Sequence, residues 1–335
     1  MANSAKIAVL GDGAMGTTCA LLLGRRSEHE VWLWSARPAN AAILREHREN
    51  LEFLPGVPIP ETIRLTTDLS AASDRAALLI MAIPMVYLRD TLGRHRSVLS
   101  RRRQPAISVA KGLERETFLR PSQVICEVIG ERPTCALSGP GHAEEISRGL
   151  PACLVAASPH AELAREVQER FSNERIRVYT NPDLIGVELA GAVKNIVGIA
   201  AGICDGLGFG DNAKSALLTR FLVELIAFGV AHSAVATTFY GLAGIGDMIT
   251  TSISPHGRNH RVGQLLGKGR MLKDILASMH QVAEGVWTTL SVYERSRQIG
   301  LEMPITNEVY RVLYEDKDPR LAVQELMLRE PASEC

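Results

Sequence analysis

"AVLGDGAMGTTCA", residues 8–20, reads as the end of a strand, a glycine turn and the start of a helix. Gly11, Gly13 and Gly16 stand at the spacing G-x-G-x-x-G. Each has its own task in such a turn. The first permits the tight bend, the second lets a phosphate approach bare backbone, and the third lets the helix lie close on the strand. The helix start then offers free N–H groups and the positive end of its dipole to an anion. Alone, the pattern also fits an ordinary strand-to-helix turn. Its context gives it weight: it follows the chain's first apolar run, "KIAVL" (6–10), and precedes a second, "VWLW" (31–34). That order is the start of a dinucleotide-binding βαβ unit.

Outward from this turn, short apolar runs recur at 77–83, 106–110, 135–138, 153–158 and 176–179. Helix-length amphipathic stretches separate most of them. Alternation of this kind predicts an α/β fold with a mostly parallel, doubly wound sheet of Rossmann type. From "NPDLIG" (181–186) onward the strand-like runs stop, and long patterns rich in Ala, Gly and Leu take over. The expected architecture is a dinucleotide-binding Rossmann-type domain over residues 1–180. An all-helical C-terminal domain for substrate binding and catalysis follows over 181–335. A chain of 335 residues is long enough for two cores.

Lys plus Arg and Asp plus Glu are 37 each, so the formal net charge is zero. That balance argues against nucleic acid or an anionic membrane as the main partner. The basic run at Arg94, Arg96 and Arg101–Arg103 reads as a solvated helix end. Six scattered cysteines form no C-x-x-C pair and no metal-ligand spacing, so no metal site is expected and a reducing, cytoplasmic compartment is. The chain enters a strand at once with no apolar signal region. Residues 225–246 are uncharged but broken by Gly229, His232, Ser233 and "YGLAGIG", so no membrane span is expected.

The end of the second strand reads Trp34-Ser35-Ala36-Arg37. An acid there would bind the ribose 2′-hydroxyl of NAD, whereas an arginine accommodates the phosphate of NADP. Arg37 therefore points to NADP, with a plain surface charge as the alternative.

The helical half carries a second signal. "GVELAGAVKNIVGIAAGICDGLG" (186–208) places Lys194 in a run that reads as packed helix. Burying an ammonium without a partner costs several kcal/mol or forces the proton off. On a helix its face is shared by Val187, Ala190, Gly191, Val197, Gly198, Ala201 and Gly202, with Asp205 on the same side. Glycine inside a helix costs roughly 0.5–1 kcal/mol against alanine. Several on one face mean close approach, by another helix backbone or by a substrate and nicotinamide. Further polar, glycine-marked segments follow. "GDNAKSALLTR" (210–220) holds Asn212, Lys214 and Arg220. "YGLAGIGDMITTSISPHGRNHRVGQLLGKG" (240–269) holds Asp247 and then Arg258-Asn259 at an apparent helix start. An arginine fork with exposed N–H groups suits a phosphate. "VAEGVWTT" (282–289) places Glu284 before a glycine. Four such segments among apolar helices mark a binding site.

At these residues the chain resembles the NAD(P)-dependent glycerol-3-phosphate dehydrogenases of bacterial type. The likeness covers nearly the whole chain. It includes "FLPGVPIP" (53–60), "VAKGLE" (109–114), "LSGPGHAEEISRGLP" (137–151), "GLAGIGDMITTSIS", "GRNHRVG" and "EMPITNEVYRVLYE" (302–315). The resemblance implies reduction of dihydroxyacetone phosphate to sn-glycerol 3-phosphate by NAD(P)H, reversibly, in support of phospholipid synthesis. It implies that Lys194 is the catalytic lysine, and that Lys111 lies near both cofactor and substrate. Asp247 would hold substrate and lysine. Arg258 and Asn259 would hold the substrate end, with Arg258 also reaching the cofactor. Gly139 lies in the substrate loop. Ala14, Met15, Ala143, Val282 and Glu284 match cofactor contacts. The chain departs from the family at Gly141 and Gly257, substrate positions where the family carries a hydroxyl, and at Ala36, where it carries a basic residue. Losing a hydrogen bond to an anion costs about 1.5–3 kcal/mol unless backbone or water replaces it.

An ammonium beside a carbonyl stabilises the developing alkoxide. Burial and neighbouring cations lower its pKa while Asp247 raises it. Two alternatives fit parts of the chain. The 6-phosphogluconate and β-hydroxyacid dehydrogenases share the architecture and a similar glycine loop. They place an asparagine four residues after their lysine, where this chain has Gly198 and carries Asn195 adjacent. A non-catalytic NADP-binding relative is the other. The uncharged, glycine-rich helices fit a homodimer interface and intramolecular packing equally well.

Overall fold

In the computed structural model, residues 5–254, 257–279 and 283–330 are described. The strands are β1 (Ala5–Leu10), β2 (His29–Trp34), β3 (Glu49–Asn50), β4 (Leu54–Pro58), β5 (Arg64–Thr66), β6 (Leu78–Met81), β7 (Ala106–Ser108), β8 (Thr134–Ser138), β9 (Ala152–Ala157) and β10 (Ile176–Asn181). Eight of them form one sheet in the order β10-β9-β8-β7-β6-β1-β2-β5. All neighbours run parallel except β8 and β9, so β9 and β10 are reversed. From β1 the chain moves outward to β2 and later returns to β6 on the other side. That reversal of direction at the C-terminal ends of β1 and β6 is where such sheets bind ligands.

β1 shows why the sheet is covered on both faces. Ile7 and Val9 enter one apolar cluster with Leu23, Val31 and Leu33. Ala8 and Leu10 enter another with Trp34, Leu79 and Met81. Alternate side chains point to opposite faces, and the run over residues 7–10, apolar at every position, requires cover on both. Helix α1 (Ala14–Gly24) contributes Cys19, Ala20, Leu22 and Leu23 to the first cluster.

Each expected strand is present, and three additional ones appear. β3 and β4 form a small antiparallel hairpin, and β5 closes the sheet edge. The hairpin is held by side chains and not by a long ladder. Asn50 donates to Asp12 O (2.7 Å) and to Thr17 Oγ1 (2.8 Å). Leu54 and Val57 pack with Ala143, Ala14 and Met15.

The chain divides into two compact units, one of residues 1–112 and 119–188 and the other of 113–118 and 189–335. After Asn181, the described residues contain helices only. The first of these, Leu184–Leu207, is long and apolar enough to cross a membrane, with 94% of its apolar window buried in the protein. It packs as a core helix.

The second unit ties two of its helices through a buried carboxylate. Glu224, on the helix Asp211–Ala231, accepts from Ile305 N (2.6 Å), Thr306 N (3.1 Å) and Thr306 Oγ1 (2.9 Å), at the start of the helix Pro304–Tyr314. Those N–H groups have no intrahelical acceptor, so the carboxylate is their cap. Burial pushes the Glu224 carboxyl up to about 7, against the pull of these hydrogen bonds. A folded value above the unfolded one means that the bound proton stabilises the fold. This contribution is full below the unfolded pKa, roughly 4.3, and is lost as pH rises through the folded one. Glu224→Gln removes the titration. The melting temperature of the natural protein should therefore fall from pH 5 to pH 8 relative to that of the variant. Parallel pH profiles would contradict this reading.

Candidate functional site

In the first unit, the glycine turn adopts the geometry its spacing predicts. Gly11 has φ of +114°, and a Cβ there would lie 2.5 Å from the Ala82 carbonyl oxygen. A Cβ on Gly16 would lie 1.9 Å from Gly11 O, so only glycine lets α1 sit this close. Beside Gly13 there is nothing within 4 Å of that position, which leaves open space against bare backbone. Gly13 is also the N-cap of α1 and carries no side-chain cap, so the first N–H groups remain available to an anion. The cradle therefore fits a dinucleotide pyrophosphate.

Two more strand ends contribute. Lys111 follows β7, and its Nζ donates to Gly139 O (2.9 Å), just past β8. Gly139 has φ of +111°, and a Cβ there would press on Leu154 Cα at 3.2 Å. At Gly141 a Cβ would meet the Leu154 and Ile146 side chains at 2.9 and 3.1 Å. The absence of a hydroxyl there thus coincides with tight apolar packing. Ala143, Ala14 and Met15 share the small cluster under the β3–β4 hairpin. Ser138 Oγ is buried and has no hydrogen-bond partner among the described residues.

Arg37 follows β2, and its carbonyl oxygen accepts from Ser35 Oγ (3.1 Å). Its guanidinium is half exposed, pairs with Glu52 (3.1 Å) and lies 5.0 Å over the Phe53 ring. It fastens the hairpin to the loop after β2. Here the surface-charge alternative describes its present contacts.

In the second unit, Lys194 is 6% exposed and Asp247 2%. Lys194 Nζ donates to Asp247 Oδ1 (3.1 Å) and to Thr251 Oγ1. Asp247 begins the helix Asp247–Ile253, directly after a π-helical turn at Leu242–Gly246. The turn is tight: a Cβ on Gly244 would lie 2.0 Å from Phe239 O. Asp247 and Thr251 are four residues apart and so face the amine together. That spacing was readable, and Thr251 is the member of the trio the sequence reading missed. Asp205 does not join Lys194. It pairs with Lys214 (2.7 Å) and His260 (2.7 Å).

Toward its C-terminal end the lysine helix meets a neighbour helix at its glycines. A Cβ on Gly202 would lie 2.0 Å from His260 O, and one on Gly206 2.4 Å from Gln264 O. Reciprocally, one on Gly263 would lie 1.9 Å from Ile199 O. The helix Arg258–Gly267 thus touches it backbone to backbone. Close helix packing accounts for Gly202, while Gly198 faces the Thr251 side chain beside the Lys194 amine.

Arg258 opens this second helix. It is exposed and has no hydrogen bond or ion pair among the described residues. Gly257 is the N-cap without a side-chain cap, and a Cβ there would meet Thr251 O at 3.0 Å and Ser254 O at 3.2 Å. A guanidinium and uncapped N–H groups together suit a phosphate. Asn259 is buried with both ends of its amide engaged: Nδ2 donates to Asn195 Oδ1 (3.0 Å), and Oδ1 accepts from Gly285 N (2.9 Å). It joins the lysine helix, its own helix and the helix Glu284–Gln298, whose first residue is Glu284. Val282 lies outside the described residues. Among the described residues no group of three His, Cys, Asp or Glu side chains is placed to hold a metal.

Two family models match the chain. That of the NAD-dependent glycerol-3-phosphate dehydrogenase N-terminus covers residues 6–164, and that of the C-terminus covers 183–324. A glycerol-3-phosphate dehydrogenase [NAD(P)+] of Chlorobium limicola is 47% identical over 331 residues, 98% of this chain and 99% of the relative. One of Geobacillus thermodenitrificans is 46% identical over 328 residues, 96% of this chain and 94% of the relative. A crystal structure of glycerol-3-phosphate dehydrogenase from Coxiella burnetii superposes with a TM-score of 0.93 at 35% identity, covering 97% of this chain and 99% of that one.

Proposed function

We infer, for a chain that belongs to the NAD-dependent glycerol-3-phosphate dehydrogenase family, that it reduces dihydroxyacetone phosphate to sn-glycerol 3-phosphate with NAD(P)H, and catalyses the reverse oxidation. Residues 1–180 serve as the dinucleotide domain and 181–335 as the substrate and catalytic domain. The observation that carries this reading is the buried amine of Lys194, fixed by Asp247 and Thr251.

When bound, the nicotinamide supplies the hydride. The protein's own residues handle binding and the proton. Gly11, Gly13, Ala14, Met15 and Gly16 would hold the pyrophosphate against the start of α1. Ala143 closes the apolar wall beside them, and Lys111, anchored on Gly139 O, brings a cation to the ends of β7 and β8. In the helical domain Arg258 and the N–H groups after Gly257 receive the substrate phosphate.

Lys194 donates its proton to the carbonyl oxygen as the hydride reaches the carbon, so the ketone becomes an alcohol and the ammonium an amine. In oxidation the amine takes the hydroxyl proton. A positioned general acid of this kind contributes about 10²–10⁴-fold in rate. Asp247 and Thr251 hold the amine in one place, which a long flexible side chain cannot do alone.

We place the enzyme in the cytoplasm, consistent with five described cysteines that are all unpaired. Its product feeds glycerophospholipid synthesis. The exposed Val223 and Val230 on the helix Asp211–Ala231 support a homodimer. Purified protein mixed with NADH or NADPH should lose nicotinamide absorbance only when dihydroxyacetone phosphate is added, and sedimentation of the same sample should give twice the chain mass. Cofactor binding without substrate-dependent oxidation would contradict the enzymatic reading.

A further inference from the structure

We propose that Asp12 is the residue that reads the cofactor's adenosine ribose, and that it makes NADH the preferred cofactor over NADPH. The proposal rests on the dehydrogenase reading above and deepens it.

Asp12 stands between the first two glycines of the turn, at the C-terminal end of β1. It is 8% exposed. Its Oδ2 accepts from Ser35 Oγ (2.5 Å) and from Asn40 Nδ2 (2.5 Å). Ser35 is the first residue after β2, and Asn40 lies on helix α2 (Pro38–His47). The Asp12 carbonyl oxygen is held in turn by Asn50 Nδ2 (2.7 Å). These bonds carry a carboxylate from the glycine turn to the end of β2.

That is the place where doubly wound dinucleotide folds present an acid to the ribose hydroxyls. The usual position for it, at the end of the second strand, holds no acid in this chain. The missing charge is supplied instead from one strand away. Among the described residues, Oδ1 of Asp12 accepts no hydrogen bond, and no lysine or arginine pairs with the carboxylate. Oδ1 therefore remains as an acceptor for a ribose hydroxyl.

The same carboxylate opposes a 2′-phosphate. A phosphate monoester carries about −1.5 to −2 charges at neutral pH. Placed beside a buried carboxylate with no cation on it among the described residues, it meets like-charge repulsion that solvent screens poorly. Arg37, the residue that would offset this, is engaged with Glu52 and Phe53. To serve a phosphate it would have to leave both.

The test compares two cofactors on one protein, so that partial loss of folding cancels. Binding of NADH and NADPH is titrated by nicotinamide fluorescence on the full chain, and kcat/KM for dihydroxyacetone phosphate reduction is measured with each. The natural protein should bind NADH about tenfold or more tightly than NADPH. Asp12→Asn, which keeps the shape and removes the charge, should shrink that ratio by about tenfold, through KM for NADPH more than through kcat. Asp12→Ser should shift the ratio in the same direction and serves if the asparagine variant does not fold. Equal or tighter binding of NADPH by the natural protein would overturn this proposal alone, as would an unchanged ratio in the folded variants. Failure to bind either dinucleotide would overturn both this proposal and the dehydrogenase reading.

Discussion

Lys194→Ala is expected to lower kcat for dihydroxyacetone phosphate reduction by about 10²–10⁴-fold, the range a positioned general acid supplies. Affinity for the dinucleotide should stay within a few-fold, because the glycine cradle is built in the other compact unit. The alanine variant carries a complication that the structure makes explicit. Asp247 is 2% exposed, and removing Lys194 leaves its carboxylate without this cation. Breaking one side of a buried pair costs about 3–5 kcal/mol, so lost activity could reflect lost fold. Lys194→Arg separates the two. Arginine retains the positive charge opposite Asp247 and Thr251, but it does not release a proton at working pH. A folded Lys194→Arg protein that binds NADH and turns over at least about 10²-fold more slowly supports proton donation by the amine. Wild-type turnover in the arginine variant, measured by loss of nicotinamide absorbance, would show that position 194 needs only charge.

The parts of this chain that were legible in sequence are those where one local rule dominates. The G-x-G-x-x-G turn reads correctly because Gly11 and Gly16 are each fixed by a close approach that excludes a Cβ. The fully apolar strands read correctly because both faces of the sheet are covered. β3, β4 and β5 were not legible. They span two, five and three residues, and β4 contains two prolines and a glycine; the β3–β4 hairpin is tied to distant partners such as Asp12, Thr17 and Arg37, and β5 is placed by pairing with β2. The candidate site divides in the same way. Lys194 stands out because an ammonium in an apolar helix demands a partner. Asp12 drew no notice as a site residue, since its position in the glycine turn says nothing of Ser35 and Asn40. The resemblance gives Asn259 a substrate role, and no spacing along the chain announced that its amide also ties Asn195 Oδ1 to Gly285 N. Side-chain pairings across elements are three-dimensional facts that spacing along the chain does not encode.

The backbone contact between the lysine helix and the helix Arg258–Gly267 leads to the other large expected effect. Gly263→Ala should destabilise the helical unit by about 3 kcal/mol or more, at the upper end of overpacking costs. The new Cβ would lie 1.9 Å from the Ile199 carbonyl oxygen, well inside contact distance, and that atom is backbone that no rotamer change can move away. The helices would have to separate, and the separation would propagate, since Gly202, Gly206 and Gly267 are packed in the same manner along one seam. Gly93→Ala is the matched control. It sits in the helix Met85–Arg94 with nothing within 4 Å of an added Cβ, so it should be neutral or gain roughly 0.5–1 kcal/mol from helix propensity. The seam adjoins the proposed proton donor: Gly198 lies against Thr251, with a Cβ position 2.6 Å from the Thr251 methyl, and Thr251 holds the Lys194 amine. A Gly263→Ala protein kept folded at low temperature should therefore lose kcat more than it loses dinucleotide affinity. If its melting curve and kcat both match those of Gly93→Ala, the close crossing is not what positions the lysine, and the glycine face would need another cause.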